Sequence, residues 1–229
     1  MITEKLIIEI AGITIMEPMA TFTDLWVTIA GFTSFYLLSK RKELKGRMYT
    51  MFKWHFLIMA IATLLGGLLG HAFFYAVNVY WKLPGWIISM ISVSLMERAF
   101  IAHAVQQVSQ KTRTLFKWAN NIELLIFIGI TIYTLDFRFV EVHSAFGFTF
   151  VALPLQIFMY LKTKDPGTKY FFIAVAVGLV DAVIFTFRIS VHQWFNYLAL
   201  AHLLMTIIVI FLYKTAITLR YNPEPETAA

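Results

Sequence analysis

The sequence predicts an all-α, polytopic integral membrane protein with seven transmembrane helices, its N-terminus outside and its C-terminus cytoplasmic. Three observations carry that expectation. The chain of 229 residues is 59% hydrophobic with a mean hydropathy of +0.73, more apolar surface than a soluble domain of that length buries. Seven apolar runs, each near the roughly 20 residues that cross a bilayer, are parted by short polar connections. The basic residues gather in alternate connections, as the positive-inside rule requires.

The first 18 residues, MITEKLIIEIAGITIMEP, are apolar but carry Glu4, Lys5, Glu9 and Glu17 and have no small-residue cleavage site. They read as an amphipathic or interfacial lead-in rather than a signal peptide. The seven-helix domain then occupies residues 19–214, with helices expected over 19–39, 51–79, 84–107, 119–136, 138–162, 169–190 and 192–214. Each break has a local cause: the charged stretch SKRKELKGR, Pro84 in KLPG, SQKTRTLFK, DFRF, and Pro166 in KTKDPGTK. Residues 215–229, with the polar ending RYNPEPETAA, are expected to form a disordered cytoplasmic tail.

Fourteen of the 19 Lys and Arg residues fall at the ends expected inside, and only Lys5, Lys82, Arg138 and Arg188 at the ends expected outside. The net charge of +6 is therefore spread over connections rather than collected into a nucleic-acid patch. With no cysteine, thiolate metal sites, disulfides and thiol nucleophiles are excluded. Chemistry is left to His, Asp, Glu and Ser.

Ionisable groups within spanning helices are costly, so they mark candidate sites. At about 1.5 Å per residue, Asp24, His143 and Asn196 lie about 6–8 Å below the outer boundary, His71 and Asp181 about 12–14 Å, and His202 about 15 Å. His192 falls at the surface beside Trp194, as in an aromatic belt. A hydrated pocket in the outer half would satisfy these groups together. Glu97 and Arg98 sit nearer the middle, where Asp181 is the expected partner of Arg98. His55 and His103 are assigned to the cytoplasmic interface.

His192 and His202 are separated by about 15 Å along the axis and by about 80° around it, so they cannot ligate one ion. The candidate metal ligands are His71, His143, and either His202 or His192, with Asp24 or Asp181 as general base. A single interhelical hydrogen bond from each histidine is the competing assignment. A weak echo of GLLGHAFF, Gly67 to Phe74, in GLVDAVIF, Gly178 to Phe185, would fit duplicated halves.

The stretches GGLLGHAFF and HQWFN resemble motifs of the seven-helix membrane hydrolase superfamily of alkaline ceramidases and progestin and adiponectin receptors, which includes uncharacterised bacterial relatives. His71 matches that superfamily's histidine on helix two, and His192 its first histidine on helix seven. Gly67 stands at the serine position, Asn196 at the second helix-seven histidine, and no acid occurs around Asn78 to Lys82. The resemblance implies zinc, a membrane lipid as substrate or ligand, hydrolysis of an amide or ester, and a bacterial inner (plasma) membrane location. The outside N-terminus matches the ceramidase branch. A retinal pigment is excluded, because the only lysine of the seventh helix is Lys214, at its cytoplasmic end.

Three functions follow as alternatives. One is a metal-dependent lipid hydrolase. Another is a transporter, or an ion or proton channel, lined by Asp181, Glu97, Arg98 and the histidines. The third is a non-catalytic receptor binding a lipid or small molecule. The sequence leaves the oligomeric state open.

Overall fold

A computed structural model describes residues 6–104 and 107–220. The end of the expected tail, 221–229, lies outside the described residues, as do Glu4 and Lys5 of the lead-in.

Residues 6–17 form a small antiparallel hairpin, β1 (Ile7–Ile10) and β2 (Ile13–Met16), with Ile7 opposite Met16. The β-branched run IIEI-AG-ITIM explains it, because Ala11 and Gly12 both take positive φ, 50° and 78°, as the tight turns that match strand twist require. The lead-in is thus a β-ribbon, the one departure from an all-helical chain among the described residues. The Glu17 N–H donates to the Leu6 carbonyl at 2.8 Å and closes the ribbon onto the first helix.

Seven long helical rods follow: α1 (Pro18–Lys40); α2 (Arg47–Leu65), prolonged by a π-helical turn at Gly66–Ala72; α3 (Leu83–Ala104); α4 (Gln110–Thr134); α5 (Arg138–Phe146), which runs through a second π turn at Gly147–Ala152 into α6 (Leu153–Thr163); α7 (Gly167–Thr186); and α8 (Tyr197–Thr218). Six of the seven are long and apolar enough to cross a membrane. The exception, α1, has length enough at 23 residues, but Thr21, Thr23, Asp24, Thr28 and Ser34 dilute its hydropathy. Those same residues are buried against α2 and α8.

The expected starts of three helices shift for local reasons. The second begins at Arg47, just after Gly46 at φ 106°. The fourth begins at Gln110, because the Ser109 hydroxyl caps the Thr112 N–H at 3.2 Å. The last begins at Tyr197 rather than 192, because Asn196 is its N-cap and accepts from the Ala199 N–H at 3.1 Å.

The packing order places α1 between α2 and α8, α3 against α2 and α4, and α7 against α8 and α6. Close crossings use small residues: a Cβ on Gly31 would stand 2.9 Å from the Ala60 Cβ. Phe52, Phe56, Phe100 and Phe171 fill the centre, with the Phe100 and Phe171 rings 4.6 Å apart. In α4 the usual polarity is inverted, since its buried residues are Asn120 and Thr131 while Leu115, Trp118, Leu125 and Ile126 face outward. An apolar exterior around polar contacts is how a helix meets lipid.

The end opposite the hairpin is tied by a buried chain of hydrogen bonds. Thr168 Oγ1 donates to Gln156 Oε1 at 3.3 Å, Gln156 Nε2 to His103 Nδ1 at 3.2 Å, and His103 Nε2 to Asp165 Oδ2 at 3.3 Å. The backbone N–H groups of Gly167 and Arg220 also donate to Asp165. His103 is thus enclosed by protein rather than facing headgroups. So is His55, whose Nδ1 donates to the Ser92 carbonyl at 2.8 Å.

Candidate metal centre

Among the described residues, two groups of side chains bring ligand atoms within 4.8 Å of one another: Asp24, His71 and His202, and separately Glu97, Glu123 and His143.

The first group lies at the hairpin end. Pro18 starts α1 and Glu17 precedes it in the left-handed region, φ 46°, so the chain turns from ribbon to helix with the Glu17 side chain against the π turn. His71 rides on that turn, and its Nδ1 lies 3.1 Å from Glu17 Oε2. His202, on the second turn of α8, has its Nδ1 3.1 Å from the Ala20 carbonyl and 3.3 Å from Thr23 Oγ1. A carbonyl only accepts, so His202 carries its proton on Nδ1, and a carboxylate partner fixes His71 the same way. Both Nε2 atoms then keep a lone pair. The two rings meet edge to face with centroids 5.4 Å apart.

Asp24 completes the group from α1. The side chain is 4% exposed, and among the described residues no hydrogen bond reaches its carboxylate. Room for it comes from Gly66, where an added Cβ would stand 3.0 Å from Asp24 Oδ2. Two imidazoles anchored through Nδ1, beside an unbonded carboxylate, form the two-histidine, one-carboxylate set that takes zinc or iron. The chemistry of these donors fits a divalent ion.

The second group is built by α3, α4 and α5. Asn120 Nδ2 donates to Glu97 Oε2 at 2.6 Å, and Asn120 Oδ1 accepts from Ser94 Oγ at 2.9 Å and from Arg98 Nε at 2.7 Å. His143 Nε2 lies 3.8 Å from Glu123 Oε1.

Depth along the helix axis is shared by more residues than the sites themselves. His71, His202 and Asp24 are brought together. His143, grouped with them by depth, faces the other cluster, because α5 packs on α3 and α4 rather than on α1. His192 joins neither group: it lies in the connection before α8, exposed, with Nδ1 accepting from the Trp194 N–H at 3.2 Å. Asn196 is a helix cap. Asp181, half-buried on α7, belongs to neither group, and its Oδ1 has no hydrogen-bond partner. Nor does Asp181 pair with Arg98, whose partners are Asn120 and, through a short contact, Asn121.

Glu17 and Glu123 were legible but unassigned. A carboxylate in the apolar run NNIELLIF marks Glu123. Nothing local marks Glu17, which reaches the site only because the hairpin docks on the π turn.

A comparison with curated proteins finds no match. The sequence pattern of a family described as a family of unknown function, DUF6962, matches residues 19–221, a span that contains all six residues of the two groups, and the chain belongs to that family.

Proposed function

We propose that this protein is a membrane-embedded, metal-dependent hydrolase acting on a lipid amide or ester, with Asp24, His71 and His202 holding a divalent ion of the zinc class. The observation that carries the reading is the pair of imidazoles whose Nδ1 atoms are fixed by Glu17 and by the Ala20 carbonyl, so that both Nε2 lone pairs are left for a ligand. When bound, such an ion polarises a carbonyl and makes water nucleophilic near neutral pH.

The chain's own groups supply the rest. Glu17 holds the His71 ring in one orientation and raises its basicity. Asp24 has two oxygens free of hydrogen bonds, one to face the ion and one to accept a proton from the attacking water. Phe22 and Trp26, one helical turn apart on the exposed face of α1, offer acyl chains an apolar approach. The asymmetry of Lys and Arg supports an outside N-terminus, which sets this site in the outer half of a bacterial inner membrane.

The test is elemental analysis of the detergent-purified protein, with His71→Ala and His202→Ala in parallel, followed by a fatty-acid release assay on lipid amides and esters. About one ion lost in each variant, together with loss of release, supports the reading. An ion count that neither variant changes rejects it.

A second reading, a transporter of cations or protons, is favoured by the carboxylates of Glu97 and Glu123 inside the bundle. Flux into proteoliposomes above that of empty vesicles would favour it.

A further inference from the structure

We propose that Glu97, Glu123 and His143 form a second divalent-cation site, separate from the Asp24, His71 and His202 group and independent of the hydrolase reading.

The argument begins with what these side chains lack. Both nitrogens of His143, and the Oε1 atoms of Glu97 and Glu123, have no hydrogen-bond partner, although His143 and Glu97 are each 0% exposed. A buried polar atom left without a partner costs about 1–3 kcal/mol. Four such atoms at one point in a compact bundle are too many to be packing accidents. They also face each other: one ligand atom from each residue lies within 4.8 Å of the others, and His143 Nε2 is 3.8 Å from Glu123 Oε1. Small torsions bring that spread to the roughly 3.4 Å between tetrahedral ligands that each sit about 2.1 Å from an ion.

The surroundings are arranged around the unbonded atoms. Asn120 Oδ1 accepts from both Ser94 and Arg98, which fixes the amide orientation and forces its Nδ2 onto Glu97 Oε2. Glu97 therefore presents Oε1 alone. That oxygen points at Gly147, where an added Cβ would overlap it and stand 2.9 Å from Val93 Cγ1. Gly147 opens a π turn, an irregularity common at functional sites. Phe127 covers the His143 ring edge to face at 5.4 Å, so solvent does not serve its nitrogens.

Charge selects the ligand. Two carboxylates face one guanidinium, Arg98, and a neutral imidazole adds a soft nitrogen donor. A cation accepted by two oxygens and one nitrogen is a first-row transition ion such as manganese, iron or zinc rather than calcium or magnesium, which take oxygen ligands throughout.

The experiment uses the full chain in detergent, stripped with chelator and titrated with Mn²⁺, with the bound ion counted by electron paramagnetic resonance. In a His71→Ala/His202→Ala double variant we expect one Mn²⁺ to remain, its pulsed spectrum showing coupling to a single imidazole nitrogen. Adding His143→Ala or Glu123→Gln should abolish it. In the otherwise unaltered chain the isosteric Glu123→Gln should lower the count by one, which serves if the double variant does not fold. Loss of all Mn²⁺ in the folded double variant, or an unchanged count in Glu123→Gln, overturns the proposal. An ion lost only on Glu123→Gln, with none lost on His71→Ala, sustains this site and removes the hydrolase centre; the converse does the opposite.

Discussion

His71 Nδ1 and Glu17 Oε2 stand 3.1 Å apart across 54 residues of sequence, which makes an amino-terminal ribbon part of the candidate metal centre. Replacing Glu17 with glutamine keeps the side chain's shape but removes the charge that orients His71. The expected result is a 10- to 100-fold weaker affinity for divalent metal, with the helical fold retained. Isothermal titration of the stripped protein with Zn²⁺ measures it, and an affinity equal to the unmodified chain would remove Glu17 from the site.

Gly66 and Gly70 lie on the same π turn but meet different surroundings. A methyl group on Gly66 would press Asp24 Oδ2 from 3.0 Å, whereas nothing lies within 4 Å of one on Gly70. Gly66→Ala is expected to displace the carboxylate and weaken metal binding by about tenfold, near the lower limit for changes that only reposition a ligand. Gly70→Ala should bind as the parent does. Equal affinities in the two variants would break the link between Gly66 and Asp24.

Asp165 gives a pH-dependent expectation in the connection between α6 and α7. Burial pushes its carboxyl up, but the hydrogen bonds from His103 and from the Arg220 and Gly167 N–H groups outweigh burial and hold it below the ordinary carboxylate range. A folded-state value below the unfolded one stabilises the fold above the unfolded value, and this stabilisation fades as the pH falls through the folded one. Asp165→Asn is therefore expected to lose about 1–3 kcal/mol near neutrality, a deficit that shrinks below about pH 4. Thermal unfolding followed by circular dichroism across that range tests it; a deficit constant with pH would mean that charge plays no part.

Because the chain has no cysteine, orientation is open to single introduced thiols. Ser190 lies in the connection before α8 and Lys45 in the one before α2, at opposite ends of the bundle. Ser190→Cys should react with an impermeant maleimide on intact cells, and Lys45→Cys only after permeabilisation. The reverse pattern would invert the proposed topology.

Seven rods were legible because lipid imposes one rule along the whole chain: about 20 apolar residues per crossing. Helix starts such as Gln110 and Tyr197 were misjudged where a capping side chain, Ser109 or Asn196, sets the boundary rather than hydropathy. Depth brought Asp24, His71 and His202 into one layer from the sequence, since rise per residue is fixed. Depth carries no information on which helices are neighbours, so His143 was grouped with His71 although it faces Glu97 and Glu123. Arg98 was given Asp181 for the same reason, while Asn120 and Asn121 on α4 were its partners.

Both ligand groups adjoin a stretch where the helix holds one residue more per hydrogen-bonded loop than its neighbours, Gly66–Ala72 and Gly147–Ala152. Such a surplus residue acts as a phase shifter. Excising Leu68 alone would let α2 wind on unbroken and turn His71 by about 100° about the axis, away from His202, while leaving every residue of the centre in the chain. The centre's assembly therefore depends on the count of residues in these two turns as much as on their kind, and a one-residue deletion in either is a cleaner way to disable one group than the loss of a ligand.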